Sequence, residues 1–110
     1  MEQLELTCFQ IISCVGTARS LYIEAIKEMK RGNIEKSEQC IKEGIVHFAE
    51  GHKAHASMIQ EEAEGKTIST SLLLMHAEDQ LMSAEGFKIV ALEFIDLYKT
   101  LADQKVISFK

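Results

Sequence analysis

Four polar residues interrupt the most apolar part of this sequence at a regular spacing: His76, Asp79, Gln80 and Ser83 stand at i, i+3, i+4 and i+7. On an α-helix that spacing gathers them into one contiguous patch. An imidazole is nucleophilic near neutral pH when one ring nitrogen is unprotonated, and an acceptor on the other N–H fixes the tautomer and aims the free nitrogen. Burying such groups without partners costs about 1–3 kcal/mol each, so the patch is either hydrogen-bonded across an interface or open to a groove. The spacing fits two readings, a structural polar seam and a reactive histidine.

Other side chains with chemical potential are weaker signals. His52 and His55 stand at i, i+3, which suits a metal, but no ExxH pair or HExxH arrangement accompanies them. Arg19 lies on an apolar seam, where it either pairs with an acidic neighbour such as Glu24 or Asp79 or orients a phosphoryl group or carboxylate. The run Glu61-Glu62-Ala63-Glu64 reads as a solvated helix end. Cys8, Cys14 and Cys40 are an odd number without CxxC spacing, so they indicate neither a disulfide framework nor a zinc knuckle and fit a reducing cytoplasm. There is no Gly-rich phosphate loop, GxSxG or HExxH, which leaves nucleotide kinases, serine hydrolases and zinc peptidases unsupported.

The elements that must position these residues are helices. The chain has 110 residues with no Pro, no Trp and few aromatics, 46% apolar and 26% charged, a composition for long uninterrupted helices. Arg31-Gly32-Asn33 offers a basic last turn, a glycine for the C′ position and an asparagine to cap the next helix. Gly65-Lys66-Thr67 is a second break, with Thr67, Ser69 or Thr70 as candidate caps. Three helices are predicted, at 4–31, 33–64 and 69–103, with a short tail at 104–110, in one domain spanning 1–110. Short connections make the neighbours antiparallel, giving an all-α, up-down-up three-helix bundle.

Apolar seams run along each helix. The first gives Ile12, Val15, Arg19, Tyr22, Ile26 and Met29, and the second Ile34, Ser37, Ile41, Ile45, Phe48, His52, His55 and Ile59. Gly44 and Gly51 inside the second helix cost about 1 kcal/mol each relative to alanine, which points to close approach of a neighbour. The third helix is apolar on two sides. One stripe holds Leu72, Leu73, His76, Gln80, Ser83, Phe87, Val90, Phe94, Leu97 and Leu101, with Asp79 on its edge, and a second set, Leu74, Leu81, Ile89 and Leu92, lies nearly opposite. A three-helix subunit buries only one of these well, so the second set should meet another copy of the chain.

The net charge of −5 opposes nucleic-acid binding, which needs a cationic face. The N-terminus lacks a basic segment followed by an apolar one, and the apolar runs are too short for membrane insertion.

Ser71-Leu72-Leu73-Leu74-Met75-His76-Ala77-Glu78-Asp79-Gln80-Leu81-Met82 resembles the SLLLxHAQDxLM motif of the lactose/cellobiose-type IIA proteins of the bacterial phosphoenolpyruvate-dependent sugar phosphotransferase system (PTS). Ile12-Ser13, Gly16-Thr17-Ala18-Arg19-Ser20 and Glu24-Ala25 look like that family's first helix, Gly32-Asn33 like its first turn, and His52, Ile59-Gln60-Glu61-Glu62-Ala63 and Gly65 like its second helix. The resemblance spans about residues 11–101. It implies a cytoplasmic homotrimer of three-helix subunits in which His76 accepts a phosphoryl group from phospho-HPr and passes it to a cysteine of the cognate IIB protein. The transfer would serve uptake of a β-linked disaccharide of the cellobiose, lactose or chitobiose class through a IIC channel. It also implies that Asp79 lies near the trimer axis with a divalent cation, magnesium, in a structural role, and no organic cofactor. The sequence departs from the family pattern at Glu78, where Gln is usual, at Gln80, where His is common, and at His55-Ala56, where Gln-Thr is common. Two rival functions are a non-enzymatic helical oligomerisation module and a histidine phosphotransfer domain of a signalling relay; the latter normally follows its histidine with Lys-Gly, and Glu78-Asp79 speaks against it.

Overall fold

A computed structural model describes residues 2–109; Met1 and Lys110, the ends of the expected 1–110 domain and of its tail, lie outside the described residues. The helices are α1 (Gln3–Lys30), α2 (Ile34–Ala63) and α3 (Leu72–Asp103), with no strand among the described residues. They form a slender bundle of 57 × 23 × 20 Å. One apolar cluster joins the N-terminal half of α1 (Cys8, Ile11, Val15) to Met58 of α2 and to Leu74, Ala77, Leu81 and Ala84 of α3. The other joins Ala18, Tyr22, Ala25 and Met29 to Ile41, Ala91 and Ile95. That pairing makes α1 and α3 parallel and α2 antiparallel to both, the up-down-up order expected from sequence.

Each helix stops the same way. Gly32 and Gly65 have φ of 86° and 96°, and the amides of the two residues after each C-cap bond back to carbonyls of the last turn, Gly32 to Met29 and Asn33 to Glu28, then Gly65 to Glu62 and Lys66 to Glu61. Glycine occupies this left-handed position without a Cβ clash. Lys105, at φ 61°, closes α3 in the same geometry.

The α1–α2 turn is built around a buried carboxylate. Glu28 accepts hydrogen bonds from Asn33 Nδ2 at 3.1 Å and from Arg31, while Lys36 lies 3.9 Å away. Asn33 is the N-cap residue, as expected, but its side chain makes no cap bond and is turned back to Glu28 instead. The hydrogen bond from Asn33 and that from Arg31 hold the Glu28 carboxyl below its ordinary 4.5.

Ser71, rather than Thr67, Ser69 or Thr70, caps α3: its hydroxyl accepts from the Leu74 amide at 3.1 Å. The helix therefore starts three residues later than expected, because the β-branched Thr67, Ile68 and Thr70 lie in non-helical chain before it.

Packing on α1 is wider than the expected seam, with Cys8, Ile11, Ala18 and Ala25 buried beside Val15, Tyr22 and Met29, while Ile12, Arg19 and Ile26 are half-buried. α1 serves both other helices, and for that reason it is also long and apolar enough, by length and composition, to cross a membrane. The expectation that no segment is apolar enough counted uninterrupted runs, whereas the apolar residues of α1 are distributed around two faces.

On α2 the packed face is rotated from the expected one. Ser37, Ile41, Gly44, Gly51 and Met58 are buried, whereas Ile45, His52 and Ile59 are exposed. The two glycines are the reason. A Cβ on Gly44 would lie 2.5 Å from a ring carbon of Tyr22, and one on Gly51 would lie 2.6 Å from Val15 Cγ1. Ser37 completes this contact by donating to the Ala25 carbonyl at 2.7 Å.

The two apolar sides of α3 are real but partly exchanged: Leu73 and Phe87 of the first stripe still pack against the core, and Ile89 and Leu92 of the second set are outside as expected. Leu74, Ala77, Leu81, Ala84, Ala91 and Ile95 face the core, so Leu74 and Leu81 of the set assigned to another copy are inside. Leu72, Val90, Phe94 and Leu97 of the expected core stripe are exposed instead, together with Met75, Met82, Ile89 and Leu92. Alanine drives the exchange: three small residues let α3 lie close to α1, a signal that counting only large apolar residues overlooks. Gly86 lies on the exposed side with nothing near its missing Cβ.

Two stability measurements follow from these contacts. Gly51→Ala is expected to lose about 1–2 kcal/mol in urea unfolding, since overpacking against Val15 outweighs the gain in helix propensity. A folded carboxyl below 4.5 makes Glu28 stabilising above that pH, with the contribution lost as pH falls through the lower folded value. Glu28→Gln should therefore melt lower than wild type at neutral pH, and the difference should shrink in acid.

Candidate functional site

His76 is the fifth residue of α3 and is exposed. Its helix begins with the Ser71 cap and has no acidic residue in its first turn, unlike α1 with Glu5 and α2 with Glu35. The positive end of the helix dipole is thus not neutralised locally, and side chains on a helix lean toward its N-terminus, which brings the His76 ring toward that end. A negatively charged group on the ring would be favoured there.

Asp79, Gln80 and Ser83 accompany His76 along the same side of the helix, as the spacing predicts. Asp79 is exposed among Met75 and Met82, and Gln80 is half-buried. Among the described residues His76, Asp79 and Gln80 make no side-chain hydrogen bond within the subunit, while Ser83 accepts from Arg19 Nε at 3.2 Å. The four form a surface patch, with no hydrogen bonds linking one member to another.

Arg19 departs from the expected ion pair. Its guanidinium carbon lies 4.6 Å from the centre of the Phe87 ring, a cation–π contact, and its Nε bonds Ser83. Glu24 is five residues on, turned to another side of α1, and pairs with Arg31 at 3.2 Å. Asp79 is one turn from Ser83 toward the helix N-terminus. Because α1 and α3 are parallel, the Arg19–Ser83 register repeated two turns earlier sets Ile12 level with His76. The residue of α1 at the level of the histidine is thus apolar and half-buried.

The remaining sequence candidates have separate partners. His52 packs edge-on against Phe48, with ring centres 5.9 Å apart. His55 reaches across to α3, where its Nε2 lies 2.8 Å from Glu78 Oε2. The two histidines thus serve different contacts, and among the described residues no group of three His, Cys, Asp or Glu side chains could hold a metal ion. Cys8 is buried, and desolvation first, then the charges of Glu78 and Glu5, push its thiol up. Burial likewise raises Cys14, with Glu50 adding to it, and raises Cys40.

The His55–Glu78 contact is the feature that reading the sequence missed. No local pattern in the sequence pairs the two positions, because their meeting depends on how α2 and α3 are set against each other.

Similarity to known proteins is extensive. Residues 6–99 match the family model described as the lactose/cellobiose-specific IIA subunit of the PTS. The PTS oligo-β-mannoside-specific EIIA component of Bacillus subtilis is 37% identical over 107 residues, covering 91% of this chain and 97% of that protein. The lichenan-specific phosphotransferase enzyme IIA component of the same organism is 35% identical, covering 94% of each. The lactose-specific EIIA component of Staphylococcus aureus is 34% identical over 89% of this chain and 95% of its own length. The crystal structure of the PTS cellobiose-specific enzyme IIA from Bacillus anthracis superposes with a TM-score of 0.90 at 38% identity, covering 94% of both chains.

Proposed function

The chain belongs to the lactose/cellobiose-specific IIA family of the PTS, and from that premise we propose that it is a cytoplasmic phosphocarrier whose His76 takes a phosphoryl group from phospho-HPr and gives it to a cysteine of the cognate IIB protein. The observation that carries this reading is the exposed imidazole near the N-terminal end of a capped helix with no acidic first turn.

The chemistry is a pair of displacements at phosphorus. An unprotonated ring nitrogen of His76 attacks the phosphorus of phospho-HPr, a P–N bond forms, and the donor's own bond to phosphorus breaks. In the second step a IIB thiolate attacks the phosphorus now on His76, and the electron pair of the P–N bond returns to the imidazole. Nucleophile, phosphorus and leaving atom must be in line, so positioning supplies most of the catalysis. A residue that must face two successive protein partners is better placed on an open helix flank than in a closed pocket. The dipole of α3 stabilises the phosphoryl charge while it resides on the ring. The relatives are named for oligo-β-mannosides, lichenan, lactose and cellobiose, which supports a β-linked disaccharide as the sugar moved by this system. The IIA protein does not itself touch that sugar.

Assembly into a homotrimer is part of the same proposal. The side of α3 turned from the core carries Leu72, Met75, Met82, Val90 and Leu97, and Gly86, whose missing Cβ has no neighbour in the subunit. Such a face suits close approach of further copies. Asp79 lies on it without a partner in the subunit. One carboxylate cannot hold a divalent cation, but three around a threefold axis supply oxygen donors of the kind magnesium takes and relieve their own repulsion by sharing it. That cation offsets the repulsion of the three carboxylates and takes no part in the transfer.

Incubation with phosphoenolpyruvate, the general phosphotransferase enzyme and HPr should add one acid-labile phosphoryl per chain, and His76→Ala should add none. A His76→Ala protein that labels as well as wild type would overturn the assignment. Sedimentation equilibrium should return three chains, and Asp79→Leu should stay trimeric while losing its bound cation in metal analysis; a stable monomer at micromolar concentration would remove the assembly.

A further inference from the structure

α3 is held to its neighbours by few directional contacts. Its packed face is dominated by Ala77, Ala84 and Ala91 beside Leu74, Leu81 and Ile95. Small residues permit close approach but interlock poorly, so they set the distance between helices better than the rotation of α3 about its own axis.

Hydrogen bonds on its two flanks supply that rotation. On the α1 flank Ser83 accepts from Arg19 at 3.2 Å. On the α2 flank Glu78 meets His55 at 2.8 Å. α2 and α3 otherwise touch little, and at this corner a cavity of about 220 Å³ remains between them, lined by Met58, Ile68 and Leu74 as well as the bridged pair. Apolar packing leaves the corner open, so the bridge does the joining. The other ionic contact between these helices, Lys99 with Glu38 at 3.4 Å, has both side chains about half exposed, at 43% and 51%, whereas in the His55–Glu78 pair Glu78 is equally exposed, at 50%, but His55 is only 16% exposed. The shorter contact, anchored on a half-buried ring, fixes geometry better than the longer one between two exposed chains.

Its location gives it a role. Glu78 is two residues from His76, about 200° around the helix. A contact that fixes Glu78 against α2 turns His76 toward the α1 flank. It also keeps a carboxylate away from the group His76 would carry.

We propose that His55 and Glu78 are positioning residues for phosphoryl transfer, the bridge between them setting the rotation of α3 that presents His76 to its partners. The proposal rests on the phosphocarrier reading of His76. The bridge needs hydrogen bonding across α2 and α3 and no particular charge, so a pair of amides long enough to meet should serve in its place.

The test is phosphorylation of the full chain by phospho-HPr with the rate followed against donor concentration. His55→Ala and the more exposed Glu78→Ala are each expected to lower the maximal rate about 3- to 10-fold, the size of one lost hydrogen bond, with unchanged half-saturation. The double variant His55→Gln/Glu78→Gln should recover to within about twofold of wild type. Single variants that transfer at the wild-type rate would overturn the positioning role and leave the phosphocarrier reading intact. A changed half-saturation at unchanged maximal rate would make Glu78 a contact for HPr and would also overturn it. Wild-type protein that takes no label would remove the phosphocarrier reading and the proposal together.

Discussion

α1 surrenders its apolar surface twice, to α2 where Gly44 and Gly51 let Tyr22 and Val15 settle against bare backbone, and to α3 through a row of alanines. Sharing one helix between two neighbours leaves those neighbours with little surface for each other. The remaining architecture accommodates that shortage. α2 turns its glycine face inward and leaves Ile45, His52 and Ile59 outside; α3 turns its alanines inward with Leu74, Leu81 and Ile95 and leaves Leu72, Met75, Met82, Val90 and Leu97 outside. Polar tethers appear where close packing is missing.

The helices, and their ends apart from the start of α3, were legible because the punctuation is chemically explicit. A chain without proline has few ways to break a helix, and the glycines at 32 and 65 adopt the positive φ that their positions demand. The inward faces were harder to read. Large apolar residues mark a surface that must be covered, but they do not say whether the cover is the subunit's own helix or something else. Small residues decide that question, and Ala77, Ala84, Ala91, Gly44 and Gly51 carry weak individual signals that gain meaning only when a neighbour is found against them. The same limit applied to Arg19. Its seam position was evident, yet its partners depended on the offset between two parallel helices, which no local pattern encodes.

Within the site, residue spacing and helix electrostatics point the same way. His76, Asp79, Gln80 and Ser83 share a side of α3 as their intervals require, and the empty acidic quota of the first turn places positive potential where an anionic group would sit. Glu78 is the exception to this harmony, a second carboxylate close to the histidine in sequence. Its engagement by His55 turns a liability into a structural contact. Two residues far apart in the linear chain form one local contact.

Gly86 stands in the middle of α3 with open space around it, and a glycine there weakens a helix that an alanine would support. Within one subunit that loss has no return. In the homotrimer proposed above the return would come from another copy approaching the vacant position, so that mass action would make the helix bearing His76 firmest where the protein is abundant.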